Sequence, residues 1–202
     1  LDEIRPTAAD NAWARENGLA GRPVLLYAGT LGLKHNPELL WRAAERLATE
    51  PELEKARVVV VSEGVGAEYL QARLAERPEV PLTVLPFQPY ERFSEVLASA
   101  QVVAAVLEPE AGVFSVPSKI LSYLSAGRAI LLAAPGEKLA SRTVRRVGAG
   151  EVVAPDDPDG FAERVRALLR DDERCRAMAE SGRTHARHTF DIDRIADRFE
   201  RV

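Results

Sequence analysis

Apolar, β-branched runs alternate with stretches of helical periodicity along almost the whole chain. Runs at 24–28, 57–61, 82–85, 102–107, 129–133 and 151–154 read as strands. The unbroken apolarity of 57–61 is that of a strand buried on both faces. Between the first two strands, Leu39, Leu40, Ala43, Ala44 and Leu47 share one face of a helix predicted over 37–49. Asn36 before Pro37 supplies an N-cap followed by proline at the first helical position. Further helices are predicted over 66–76, 90–98, from 117, over 138–147 with a stop at Gly148, and over 159–170, 172–188 and 191–202. Strands that alternate with helices give right-handed crossovers and therefore an α/β fold, a doubly wound parallel sheet of about six strands with extra C-terminal helices. Residues 1–22 read as a helical or linker segment, 23–190 as the domain, and 191–202 as a C-terminal helix.

In such sheets ligands sit outside the carboxyl ends of the strands, so the loops after the first four strands are where chemistry is expected. The segment from Gly112 to Gly127 carries the strongest signal. It reads as a loop, a Pro117-Ser118-Lys119 helix start, a short amphipathic helix and a glycine stop, all directly after the strand at 102–107. A helix that opens there aims free N–H groups and its positive dipole end above the strand, which suits an anion and above all phosphate. After the first strand, Gly29, Thr30 and Gly32 form a glycine-rich turn followed by Lys34. Two glycines there let a ligand approach the backbone closely. Gly64 and Gly66 lack the third glycine of a dinucleotide fingerprint, and no acidic strand end follows about 20 residues on, so an NAD site is not expected.

Composition narrows the classes. The 202 residues are 46% hydrophobic with a net charge of -4, which suits a globular domain and argues against a nucleic-acid binder. No apolar run approaches the roughly 20 residues needed to span a bilayer. The single Cys175 excludes a disulfide framework and fits a reducing, cytoplasmic setting, with the thiol as a small core residue. The chain starts at Leu1 and its only methionine is Met178, so a longer parent protein is expected. Among the 27 basic residues only Lys34, Lys55, Lys119 and Lys138 are lysine, and two of these border the glycine and serine loops. Lysine is a compact point charge and a common phosphate partner. Asp191 and Asp193 superficially match a metal-binding Asp-x-Asp, but Asp191 reads as a helix cap, and the same holds for Asp157 and Asp159. His185 and His188 have no ligand set around them, His35 reads as a loop residue beside Lys34, and Trp13 and Trp41 read as packing residues.

Three segments in order carry a resemblance. Tyr27 to Pro37, the Pro86-Phe87-Gln88-Pro89 turn and Ser115 to Arg128 together resemble the C-terminal, donor-binding half of a GT-B glycosyltransferase. The family is the large retaining one often called glycosyl transferases group 1, or family 4. The Ser-Val-Pro-Ser-Lys form resembles members of the polysaccharide-biosynthesis type. The resemblance implies a Rossmann-like half of a GT-B fold that binds a nucleoside-diphosphate sugar, UDP favoured over GDP, and moves its sugar to a glycan or lipid-linked acceptor. It implies diphosphate contacts from Gly29, Thr30, Gly32, Lys34, Ser118 and Lys119, with Lys34 and Lys119 stabilising the leaving group. Phe87, Gln88 and Ser122 would meet the nucleoside, and Glu110, Phe114 and Ser115 the donor sugar. No cofactor and no metal is expected.

The chain departs from the family pattern at two places. Phe114 and Ser122 stand where most members carry a pair of Glu, the first toward the donor sugar and the second toward the ribose hydroxyls. Glu110, on the same loop, is the substitute at the sugar, and Thr30 stands where many members place Arg. The acceptor site would come from an N-terminal half absent here, so the chain is expected to bind donor and transfer nothing alone, its full-length parent lying in the cytoplasm at the inner face of the cell membrane. A non-catalytic nucleotide-binding or interaction module, and a UDP-sugar 2-epimerase-like enzyme, stay open as alternatives.

Overall fold

A computed structural model describes residue 4 and residues 7–32, 35–107 and 118–190 of the chain. Fourteen regular elements follow in order: α1 (Ala12–Glu16), β1 (Val24–Ala28), α2 (Glu38–Ala48), β2 (Arg57–Val61), α3 (Val65–Glu76), β3 (Leu82–Leu85), α4 (Phe93–Ala98), β4 (Val102–Val106), α5 (Ser118–Ala126), β5 (Ala129–Ala133), α6 (Leu139–Val147), β6 (Gly150–Val153), α7 (Pro158–Leu169) and α8 (Asp172–Thr189). The strands form one six-stranded sheet in the order β3-β2-β1-β4-β5-β6, and every neighbouring pair is parallel. The doubly wound α/β expectation is met.

Alternation along β1 shows how the two layers are filled. Leu25 and Tyr27 point into one apolar cluster, with Leu39, Leu40 and Trp41 of α2 and Phe161 and Val165 of α7. Val24, Leu26 and Ala28 point into the other, with Val96 of α4, Ile120, Tyr123 and Leu124 of α5 and Val144 of α6. All five residues of β1, β4 and β5 are buried, as expected for central strands covered on both faces.

Several local readings need correction. Asn36 is not the N-cap of α2: it sits at φ +42°, its side-chain amide donates to the Pro155 carbonyl at 3.0 Å, and Pro37 occupies the cap position. Asn tolerates the left-handed region, and here it spends its polar group on a distant loop. The N-terminal segment is also more than a linker. Trp13 is fully buried in the second cluster, and Asn11, the N-cap of α1, donates to the Glu95 carbonyl at 2.9 Å. The core therefore begins before residue 23. The stretch 90–98 opens as a 3₁₀ turn before α4, whereas α6 closes on Gly148 at φ +70° as expected. Asp157 caps α7 by accepting from the Gly160 amide at 2.8 Å, and Cys175 is buried, its thiol donating to the Leu168 carbonyl. The helix predicted over 191–202, with Asp191 and Asp193, lies outside the described residues.

The start of α3 bears directly on the first loop. The Gly66 amide donates to the Leu31 carbonyl at 3.0 Å, and a Cβ at Gly66 would lie 2.3 Å from that oxygen. Only glycine lets α3 close on the loop after β1. Gly66→Ala is expected to lower stability by about 1–3 kcal/mol, the range for overpacking a filled site, read from a denaturant midpoint.

Candidate functional site

The strand order reverses between β1 and β4. Crossovers leave these neighbours toward opposite faces, which opens a crevice above their carboxyl ends. Two segments meet there: the turn after β1, with Gly29, Thr30 and Gly32, and the first turn of α5, with Ser118 and Lys119. Tyr123 of α5 pins them from below. Its buried hydroxyl is shared between the carbonyls of Ala28 at 3.3 Å and Ala104 at 3.2 Å, one on each strand.

Lys119 belongs to a helix packed on the second face, yet its side chain passes over the end of β1. Its Nζ donates to the Tyr27 hydroxyl at 2.7 Å and lies 4.1 Å from the centre of that ring, a cation–π distance. Tyr27 in turn donates to the Thr30 carbonyl at 2.7 Å. Gly29 makes the crossing possible: it sits at φ +124°, and a Cβ there would lie 2.8 Å from Lys119 Cε. Burial, with no countercharge among the described residues, lowers the Lys119 amine from its usual range to about 8. The Tyr27 phenol is pushed upward by burial and then by Tyr123, so it stays neutral throughout the working range. Lys119 is thus a desolvated cation in a crevice, an arrangement that an anion would relieve.

The glycine turn itself is tightly bonded. Gly29 N–H donates to the Val61 carbonyl at 3.0 Å, Leu31 N–H to Ser62 Oγ at 3.0 Å and Gly32 N–H to His35 Nδ1 at 3.1 Å. Gly29 admits Lys119, and exposed Thr30 is the turn's outward edge. At α5 the first N–H groups have no carbonyl one turn earlier within the helix, and Ser118 there is exposed. Ser122 lies one turn along, half-buried, with its hydroxyl directed to the Ser118 carbonyl at 3.4 Å.

The Pro86–Pro89 turn flanks the crevice after β3. Phe87 is 47% exposed, so it is not the buried packing residue of a closed turn. Its amide donates to the Glu63 carboxylate at 3.2 Å. The Gln88 side chain is committed inward, accepting from Trp13 Nε1 at 2.9 Å and donating to the Pro86 carbonyl at 2.9 Å. Trp13 therefore holds the turn in place as well as filling the core. Sequence reasoning missed Tyr27 as a functional partner, and missed Glu63 beside Phe87. Lys34, Glu110, Phe114 and Ser115 lie outside the described residues. Among the described residues no three His, Cys, Asp or Glu side chains converge as a metal site, and no helix is long and apolar enough to cross a membrane.

A six-stranded, doubly wound parallel sheet flanked by helices defines a Rossmann-like α/β domain. The chain belongs to the glycosyl transferases group 1 family, whose model matches residues 10–185. It is 30% identical over 195 residues to D-inositol 3-phosphate glycosyltransferase of Nocardia farcinica, a match that covers 92% of this chain and 41% of that protein. In structure it is similar to sucrose-phosphate synthase from Thermosynechococcus elongatus, with a TM-score of 0.75, 21% identity, and coverage of 99% of this chain and 49% of that one. It is likewise similar to Anabaena Alr3699/HepE in complex with UDP-glucose, with a TM-score of 0.75, 16% identity and coverage of 100% and 55%. The C-terminal domain of the group 1 protein LpcC from Francisella tularensis is matched nearly whole, with coverage of 94% and 96%, a TM-score of 0.75 and 14% identity. These structural likenesses show the GT-B type of fold. The chain spans about half or less of the length of the curated relative and the first two solved proteins.

Gly29→Ala tests the crossing of Lys119. An alanine at this φ is strained, and its methyl displaces the lysine stem. Stability is expected to fall by about 1–3 kcal/mol. Freed into water, the Lys119 amine is expected to titrate near the ordinary lysine value of about 10.4, measured by NMR.

Proposed function

We propose that this chain is the donor-binding domain of a retaining glycosyltransferase that takes its sugar from a nucleoside-diphosphate sugar, UDP favoured. The observation that carries this reading is the half-buried Lys119 ammonium beside the start of α5, at the switch point of a group 1 family fold. Ser118 and Lys119 amides and the lysine itself would hold the diphosphate, with Thr30 at the facing edge and Lys34 completing the set. Charge that builds on the departing diphosphate is stabilised by groups already in place, with no metal required. Phe87 offers an exposed face for the base, and Ser122 a hydroxyl for the ribose. Glu110, Phe114 and Ser115 would border the sugar. That Alr3699/HepE was solved with UDP-glucose and with UDP supports the choice of ligand class.

The acceptor, a glycan or lipid-linked sugar in cell-surface polysaccharide synthesis, would be held by a preceding domain. The isolated chain then binds donor without transferring it. Full-length protein would act in the cytoplasm at the inner face of the cell membrane.

Titration calorimetry with UDP and GDP tests the reading. Lys119→Met is expected to weaken UDP binding by roughly 10- to 100-fold, the worth of one charge-assisted hydrogen bond. The pH dependence has a definite sign. The diphosphate favours the charged amine, so binding raises a pKa that starts near 8. Wild-type affinity is expected to be level near pH 7 and to decline above pH 8, with proton uptake on binding there. Absence of binding by UDP and GDP alike, or sugar transfer by the isolated chain, overturns the reading.

A further inference from the structure

Among the described residues Lys119 has no acidic partner. Among the described residues its polar partner is the Tyr27 hydroxyl, a group that a strand-core position would fill equally well as Phe. That hydroxyl is also bonded to the turn, since it donates to the Thr30 carbonyl while accepting from Lys119. One oxygen thus joins the first turn of α5 to the turn after β1, two segments separated by 92 positions of sequence.

We propose that Tyr27 is a positioning residue of the donor site: its hydroxyl ties the Lys119 ammonium to the Thr30 carbonyl, so that the cation meets the diphosphate as a fixed unit with the glycine turn. The inference rests on the donor-site reading above and adds a residue and a role to it. Geometry explains the arrangement. An ammonium has three N–H donors; one goes to Tyr27, which leaves two for an anion. The ring face at 4.1 Å supports the stem as it crosses the space left open by Gly29. A lysine so held loses less rotamer freedom on binding than one swinging from solvent. The tyrosine also favours the charged amine, because its oxygen accepts a hydrogen bond from that form. Among the described residues Tyr27 is the titratable group that contacts this lysine, and burial drives its phenol upward.

The test is a double-variant cycle read by UDP calorimetry on this chain between pH 6.5 and 9.5. Tyr27→Phe keeps the ring and removes only the hydroxyl. It is expected to weaken UDP binding roughly three- to tenfold, the worth of a typical hydrogen bond. The alkaline decline in affinity is expected to move to lower pH, because the charged amine has lost its acceptor. In a Lys119→Met background the same substitution is expected to change UDP affinity less than twofold. An equal loss in both backgrounds, or an unmoved pH profile, overturns the proposal and leaves Tyr27 a packing residue. If wild type binds neither UDP nor GDP, the donor-site reading falls first; if wild type binds and Tyr27→Phe matches it, only the present proposal falls. Should Tyr27→Phe fail to fold, ¹⁵N-lysine NMR of the wild type decides. A slowly exchanging ammonium signal, assigned by its loss in Lys119→Met, is expected without ligand, and a fast-exchanging Lys119 overturns the proposal.

Discussion

The parallel pairing of β1 with β4 governs what the rest of this molecule can do. A chain that winds one way from β1 to β3 and the other way from β4 to β6 has to send its helices to opposite faces at the seam. At such a seam the crossover helices diverge from the carboxyl ends of the two central strands. Leu25, Leu26 and Tyr27 lie in register with Val102, Val103 and Ala104, so the two loops that follow start at nearly the same level. Tyr123 fastens that seam by reaching both strands with one hydroxyl. The crevice is a consequence of winding; its chemistry comes from what the two loops place in it.

What they place there is a cation in a poorly solvated position. An exposed lysine is fully hydrated and would add little to specificity. Lys119 instead passes over Gly29 and rests on Tyr27, where burial disfavours its charge. A depressed lysine makes the protonated folded state less stable than it would otherwise be. That penalty is relieved as pH rises from about 8 toward the ordinary lysine value near 10.4, or when an anion arrives. In the proposed function that anion is a nucleoside diphosphate, a ligand that suits a helix start.

The strands and most helices were legible in sequence because they are local signals. Period, glycine placement and a Pro-Ser-Lys helix start need no knowledge of distant partners. What escaped was non-local. Tyr27 reads as one more apolar strand position, since nothing nearby shows that its hydroxyl meets a lysine 92 residues away. Trp13 reads as filler, yet its indole N–H fixes Gln88. Asn36 reads as a cap because Asn before Pro usually is one, but its amide is claimed by Pro155 across the fold. Gly29 reads as a position of close approach, and nothing local shows that the Lys119 side chain comes to it.

The approach of Lys119 to Gly29 bears on how the turn works. Had the turn presented three bare amides, recognition would rest on backbone alone and tolerate many side-chain changes nearby. With Gly29, Leu31 and Gly32 bonded inside the protein, the turn acts as a rigid frame. The charge, held by Tyr27, is delivered to it from α5. A rigid frame and a delivered cation divide the work: the frame resists distortion, while the lysine supplies a charge whose protonation responds to ligand. Preorganisation of this kind lowers the ordering cost of binding at the expense of folding stability, since a buried amine and a positive-φ turn are both held in place by the surrounding sheet. The dense apolar layers on both faces of β1 and β4 supply the stability that such a strained seam requires.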